Sequence, residues 1–184
     1  MRVIAGSAKG RRLAAPKGMS IRPTADRVKE SIFNIVGQEV VDAVVLDVFA
    51  GTGNLGIEAL SRGADKAYFI DSSDEAIATI KKNLDNTGFI DKAVIMKSQA
   101  ERAVKQLAAE ALTFDLIFLD PPYRISVSFL DAILFNLACQ ALRPDGLLVL
   151  EHDAKGEVRG IEGLVLISTR LYGDTAVSLY RREG

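Results

Sequence analysis

Residues 44–63 read VVLDVFAGTGNLGIEALSRG, and the order of their parts decides the fold class. Val44 to Phe49 form a short, nearly continuous apolar run, as a strand covered on both faces must. Gly51 and Gly53 allow a tight turn, and from Asn54 apolar residues recur at helical spacing until Gly63 offers a stop. A strand that passes through a glycine turn into a helix is the repeating unit of an α/β sheet.

Outward from that unit the pattern repeats. KAYFID (66–71), AVIMK (93–97), DLIFLD (115–120) and GLLVLE (146–151) read as further strands. SDEAIATIKKNLDNTG, AERAVKQLAAEAL and VSFLDAILFNLACQALRPDG between them are helical in spacing, with Gly88 and Pro144-Asp145-Gly146 as stops. The alternation predicts a doubly wound, Rossmann-like, mostly parallel sheet with right-handed crossovers. LVLISTRLYGDTAVSLYRRE (164–183) differs: two strands joined at Gly173-Asp174 add an antiparallel hairpin and bring the sheet to seven strands. Upstream, RPTADRVKESIFNIV (22–36) predicts a helix with Thr24 as its N-cap, and residues 2–22 a small strand pair.

A chain of 184 residues, 48% hydrophobic and 26% charged, suits one globular domain with a sizeable core. Its apolar runs fall well short of a membrane span and MRVIAGSAKGRR has no signal-peptide core, so a cytoplasmic protein without membrane contact is expected. The single Cys139 excludes an internal disulfide and a Cys/His zinc cluster, and its helical setting predicts a buried core thiol. The net charge of −1 conceals an asymmetry. Residues 1–30 hold eight Lys/Arg against Asp26 and Glu30, a balance of +6 that leaves −7 elsewhere. A basic arm on an acidic body suits an anionic partner, nucleic acid first, although a solvated edge that repels neighbouring chains would look the same.

In open sheets of this class ligands bind outside the carboxyl ends of the strands, where strand order reverses. Three such ends carry unusual residues. LDVFAGTGNLG (46–56) brings the backbone close to a ligand and offers free N–H groups where the helix starts near Asn54. Asp71 closes YFID 20 positions after Gly51, where a carboxylate grips ribose hydroxyls or caps the helix that begins at Asp74. Asp47, four residues before Gly51, opposes a pyrophosphate but attracts a sulfonium and an ammonium, or else bonds the amides of its own turn. The third end is DPPY (120–123): prolines cannot donate to a ladder, so a stiff turn presents a carboxylate and an aromatic ring at the strand exit.

VFAGTGNLG, FID and LDPPY in that order resemble the class I S-adenosylmethionine-dependent methyltransferases, and DPPY the branch that methylates exocyclic amines of bases. RVIAGSAKGRRL, RPTADRVKESIFN and YGDTAVSLY extend the resemblance, end to end, to the RsmD family, bacterial 16S ribosomal RNA guanine-N2 methyltransferases. The resemblance implies a basic hairpin arm over 1–22 and a methyltransferase domain over 23–184. It implies S-adenosylmethionine held by Asp47, Phe49, Gly51, Thr52, Gly53, Asn54, Asp71, Ser72, Gln99, Ala100 and Asp120, with no metal. Gln99 stands where an acid or amide is usual, and can accept from the adenine amino group. Asp120, Pro121 and Tyr123 are the implied catalytic residues, and Arg11, Arg12, Arg22 and Arg27 the RNA contacts.

The implied chemistry accounts for the DPPY run. The N2 amine of guanine is a poor nucleophile, because its lone pair is delocalised into the ring. Asp120 and the Pro121 carbonyl can accept its two protons and turn the lone pair toward the methyl group, while Tyr123 stacks on the extruded base. The implied partner is 16S ribosomal RNA, within the small subunit or its assembly intermediate, met by a monomer. An adenine-N6 DNA methyltransferase shares DPPY but needs a separate recognition domain for which no residues remain. A nicotinamide dehydrogenase is opposed by Asp47. His152, at the end of the fifth strand, reads as a satisfied structural residue.

Overall fold

A computed structural model describes residues 1–15, 23–122, 125–156, 158 and 160–183, with the backbone alone at 23–25. Helix α1 (Pro23–Val36) leads to β1 (Val44–Val48), and α2 (Asn54–Ser61), β2 (Lys66–Asp71), α3 (Asp74–Thr87), β3 (Ala93–Lys97) and α4 (Ala100–Ala109) follow. Next come β4 (Phe114–Leu119), α5 (Val127–Asn136) and β5 (Leu142–Asp153), and β6 (Leu164–Tyr172) and β7 (Thr175–Arg182) end the fold. The seven strands lie in the order β3-β2-β1-β4-β5-β7-β6. β3 to β5 are parallel, and β7 is antiparallel to both β5 and β6. The chain moves outward from β1 to β3 and returns on the other side at β4. The reversal therefore falls between β1 and β4, where diverging connections leave a crevice at the carboxyl ends.

Alternation along each strand divides the core into two layers. Val45, Phe69, Phe118 and Val149 face Phe33, Ile57 and Ile80 on one side, while Leu46, Ile117 and Leu148 face Val104 and Ile133 on the other. No helix among the described residues is long and apolar enough to cross a membrane.

The expected elements form, with local exceptions. Pro144-Asp145-Gly146 does not stop a helix but lies inside β5. Phe114 pairs with Leu142 and Leu116 with Leu147, so the surplus residues of β5 bulge out, with Asp145 at φ +61°. Helix α5 has already ended at Asn136 and passes into a wider π-type turn over Leu137–Ala141. That turn keeps Leu137, Ala138 and Ala141 in the core and rotates Cys139 outward, so the thiol is exposed rather than buried. Among the described residues, the N-terminal strand pair is seen as an antiparallel bridge, Arg2 with Arg12. The arm's remaining amides turn to the body: Ile4 and Ala5 donate to Glu58, Ala8 to Ser61 Oγ and Ala14 to Asn83 Oδ1. With Val3, Ala8 and Leu13 buried in the core, residues 1–15 are docked against α2 and α3. The Thr24 cap lies outside the described side chains.

Candidate active site

The turn after β1 is built by close approaches. Phe49 sits at φ +60°, a conformation that costs an aromatic residue roughly 1–2 kcal/mol, and so is held by its surroundings. Gly53 starts α2 at φ +75° with no side-chain cap, leaving the first N–H groups of the helix open toward the crevice. At Gly56 a Cβ would come within 2.3 Å of the Phe69 ring, so only glycine lets α2 pack this closely on β2. Asp47 Oδ2 accepts from Gly56 N at 2.9 Å, which fixes the carboxyl beneath the turn. Asp71 works from the neighbouring strand: Oδ2 accepts from Gly51 N at 2.8 Å and Oδ1 from Ser73 N at 2.9 Å. The cap of α3 is not Asp71 but Ser73, whose Oγ accepts from Ala76 N at 3.3 Å.

These groups open onto a cavity of about 700 Å³ at the carboxyl ends of β1, β2, β4 and β5, within the usual size for a small-molecule site. Of the expected residues, Asp47, Phe49, Gly51, Thr52, Asn54, Asp71, Ser72, Asp120 and Pro121 line it together. Gly53 lies just behind the wall, against Ile57, Phe69 and Ile80. Gln99 and Ala100 are set apart: Gln99 lines an adjacent cavity with Lys97, Ser98 and Arg102, and Ala100 is buried in the core. Tyr123 and Arg22 lie outside the described residues. Arg11, Arg12 and Arg27 are exposed, and Arg11 Nη1 donates to the Asn86 carbonyl at 3.0 Å. His152 is satisfied by Ser178 Oγ at 2.9 Å and the Asp153 carbonyl at 3.0 Å.

The walls also contain residues that the sequence did not single out. Glu151 ends the apolar run of β5 as Asp120 ends that of β4, and an acid after an apolar run was the available signal. The β6–β7 turn contributes Tyr172, Gly173, Asp174 and Thr175, and a hydrogen bond between Ser31 Oγ and Tyr172 OH ties that turn to α1. Lys29 Nζ, 1% exposed, donates to Asn54 Oδ1 and the Arg2 carbonyl, both at 2.6 Å, and pairs with fully buried Glu58 at 3.0 Å. Lys29 reveals no sequence signal of this role, because its partners lie far along the chain.

With its nearest cation already engaged by Glu58, the cavity is acidic. Burial, against the bond from Gly56, pushes the Asp47 carboxyl up to about 8, and the Asp120 and Asp71 charges add to the rise. Asp120 lines the cavity and is exposed, yet the surrounding protein desolvates its carboxyl and pushes it up to about 6. Glu151 is pushed up to about 8 by burial and by the Asp120 charge. Each of these carboxyl groups would gain from a cation placed among them.

A sheet of this order, with a glycine turn after β1, an acid closing β2 and Asp-Pro-Pro after β4, has the architecture of the Rossmann-like methyltransferases. Solved structures agree: the Escherichia coli protein yhhF, described as a candidate methyltransferase, has a TM-score of 0.87 and 33% identity over 100% of this chain and 98% of that one. The Haemophilus influenzae protein HI0767, described as a candidate methylase, has a TM-score of 0.81 and 28% identity over 100% and 98%. The family model described as "Conserved hypothetical protein 95" matches residues 1–181. Bacillus subtilis YlbH, named as a candidate rRNA methyltransferase, is 45% identical over 100% of both chains. Ribosomal RNA small subunit methyltransferase D of Escherichia coli is 32% identical over 100% of this chain and 90% of its own. The chain belongs to the Conserved hypothetical protein 95 family, as a relative of the small-subunit ribosomal RNA methyltransferases D.

Proposed function

We propose that the protein transfers a methyl group from S-adenosylmethionine to the exocyclic N2 amine of a guanine in 16S ribosomal RNA, within the small subunit or an assembly intermediate. The observation that carries this reading is the acidic cavity: Asp47, Asp71, Asp120 and Glu151 share a space whose wall includes the glycine turn. A sulfonium and an ammonium would favour the ionised form of these acids and be attracted by it, whereas the pyrophosphate of a dinucleotide would oppose their ionisation. The relatives named for small-subunit ribosomal RNA supply the substrate class.

S-adenosylmethionine supplies an electrophilic methyl carbon on a sulfonium. Asp71, fixed by two backbone amides, has lone pairs left to accept from ribose hydroxyls. Asp120 is mostly ionised at neutral pH and accepts from the amine at the rim, where positive charge develops during transfer. The Pro121 carbonyl would accept a hydrogen bond from the second amine hydrogen and Tyr123 would stack on the base, and the proton shed by the methylated nitrogen would pass to Asp120 or to solvent. Arg11, Arg12, Arg22 and Arg27 contact RNA phosphates.

The test is a methylation assay on small subunits from cells lacking the gene, with the modified nucleotide located by mass spectrometry and a DNA duplex in parallel. N2-methylguanine in 16S RNA is expected. Methylation of adenine in DNA alone would overturn the reading.

A further inference from the structure

Glu151 enters the reading above only as one of the cavity's acids, yet the sheet sets it beside Asp120. Leu119 of β4 pairs with Leu150 of β5. Asp120, just past the end of β4, and Glu151, still within β5, therefore lie abreast, roughly 4.8 Å apart by ordinary strand spacing. Both line the cavity, and each lies within reach of the other's charge. His152, the next residue along, is turned away to Ser178.

Two carboxyl groups side by side offer a row of acceptors broader than a single amine requires. Guanine matches such a row, because its ring N1–H stands next to its N2 amine and both are donors. Adenine and cytosine place a bare acceptor nitrogen beside theirs. We propose that Glu151 is a specificity-determining residue that accepts the guanine N1–H while Asp120 accepts from N2, an inference that rests on the guanine reading above. Against ionised Glu151 a bare nitrogen sets lone pair against lone pair, whereas the protonated carboxyl donates to it, so the discrimination is read above about pH 8. Burial keeps Glu151 largely protonated while the site is empty, and its carbonyl oxygen still accepts in that form. A donor at N1 then favours ionisation and strengthens the contact.

The experiment compares target RNA bearing guanine with the same RNA bearing 2-aminopurine, which keeps the N2 amine but has a bare N1. Wild type, Glu151→Ala and Glu151→Gln are assayed for kcat/KM on both above about pH 8, with cofactor affinity and thermal melting as controls for folding. Wild type is expected to prefer guanine by roughly 10- to 100-fold, the loss typical of a charge-assisted bond left unmade. Both variants are expected to bring the two rates within a few-fold of each other. Glu151→Gln is close to isosteric, and its amide can turn a donor toward the bare nitrogen, so it decides the question should Glu151→Ala melt early. A folded, cofactor-binding variant that keeps the wild-type ratio overturns the inference. So does a wild type that methylates both RNAs equally. A wild type that leaves the guanine RNA unmodified overturns the guanine reading itself, and this inference with it.

Discussion

At the β2 end of the cavity, Asp71 gives both carboxylate oxygens to backbone amides, at 2.8 and 2.9 Å. At the β4 end, Asp120 precedes two prolines, its N–H reaching the Val48 carbonyl at 3.5 Å, and desolvation pushes its carboxyl up to about 6. The two acids occupy corresponding places in one sheet and do different things. Asp71 is satisfied in advance, which makes it a rigid frame for binding. Asp120 has no such amides on its carboxyl among the described residues and is pushed up by desolvation, so it gains when hydrogens or positive charge arrive. On the proposed reading, binding and chemistry divide between the two rims of one crevice.

The sharpest way to break this division is Asp120→Ala. Turnover should fall about 10²–10³-fold, as when one preorganised group facing developing charge is removed, while cofactor affinity stays within a few-fold. Single-turnover rates beside calorimetry measure the two quantities, and an equal loss in both would erase the distinction.

Asp47 lies beneath both rims, and Asp47→Asn tests its burial. An acid whose folded value is raised to about 8 stabilises the fold least when ionised, so wild-type stability declines as pH rises from about 4 through 8. Asn keeps an acceptor for Gly56 without the charge. Its advantage over wild type should be small at pH 4 and grow to roughly 2–4 kcal/mol by pH 8, a discounted figure given that each tenfold change in proton affinity is worth about 1.4 kcal/mol. Denaturant titrations at the two pH values decide it, and a constant difference would contradict the assignment.

Asp71→Ala should show the opposite profile to Asp120→Ala. Loss of a charge-assisted bond to ribose weakens the cofactor by about 1.5–3 kcal/mol, seen by calorimetry. Since Gly51 and Ser73 also lose their acceptor, a lower melting temperature is expected too. Unchanged affinity would remove Asp71 from the site.

The wild-type pH profile sharpens the Asp120 side. Turnover should drop as pH falls through about 6, where Asp120 takes up a proton and loses the negative charge that offsets the charge developing on the amine, by about tenfold per pH unit below that. A flat profile from pH 7 to 5 would show that its ionised form is not required.

The smallest effect is expected at the arm. If Arg11 and Arg12 contact phosphates, neutralising both should flatten the log–log salt dependence of RNA binding by about 1.4–1.8 in slope. Titrations at several salt concentrations alongside wild type measure it, and parallel slopes would return the arm to a solvated edge.

The sequence by itself carried the fold class, the strands from Val44 to the Gly173-Asp174 turn, and most of the cavity's named residues. These are local signals. A glycine turn must follow its strand directly, and acids such as Asp71 and Asp120 betray themselves by ending apolar runs. What the sequence could not carry depends on which strand lies beside which. Pro144-Asp145-Gly146 resembles a helix stop until the β4 register makes it a bulge, and a helical period places Cys139 inside until a π turn rotates it out. Gln99 stands at the expected point in the chain, yet the path of β3 into α4 leaves it facing a neighbouring cavity. Lys29 meets Asn54 and Glu58, 25 and 29 residues away, only because α1 packs across α2. Glu151 comes abreast of Asp120, 31 positions earlier, only because β5 joins β4 in register. Spacing along the chain fixes what each residue can do, but through-space pairing of strands and helices fixes the company in which it does it.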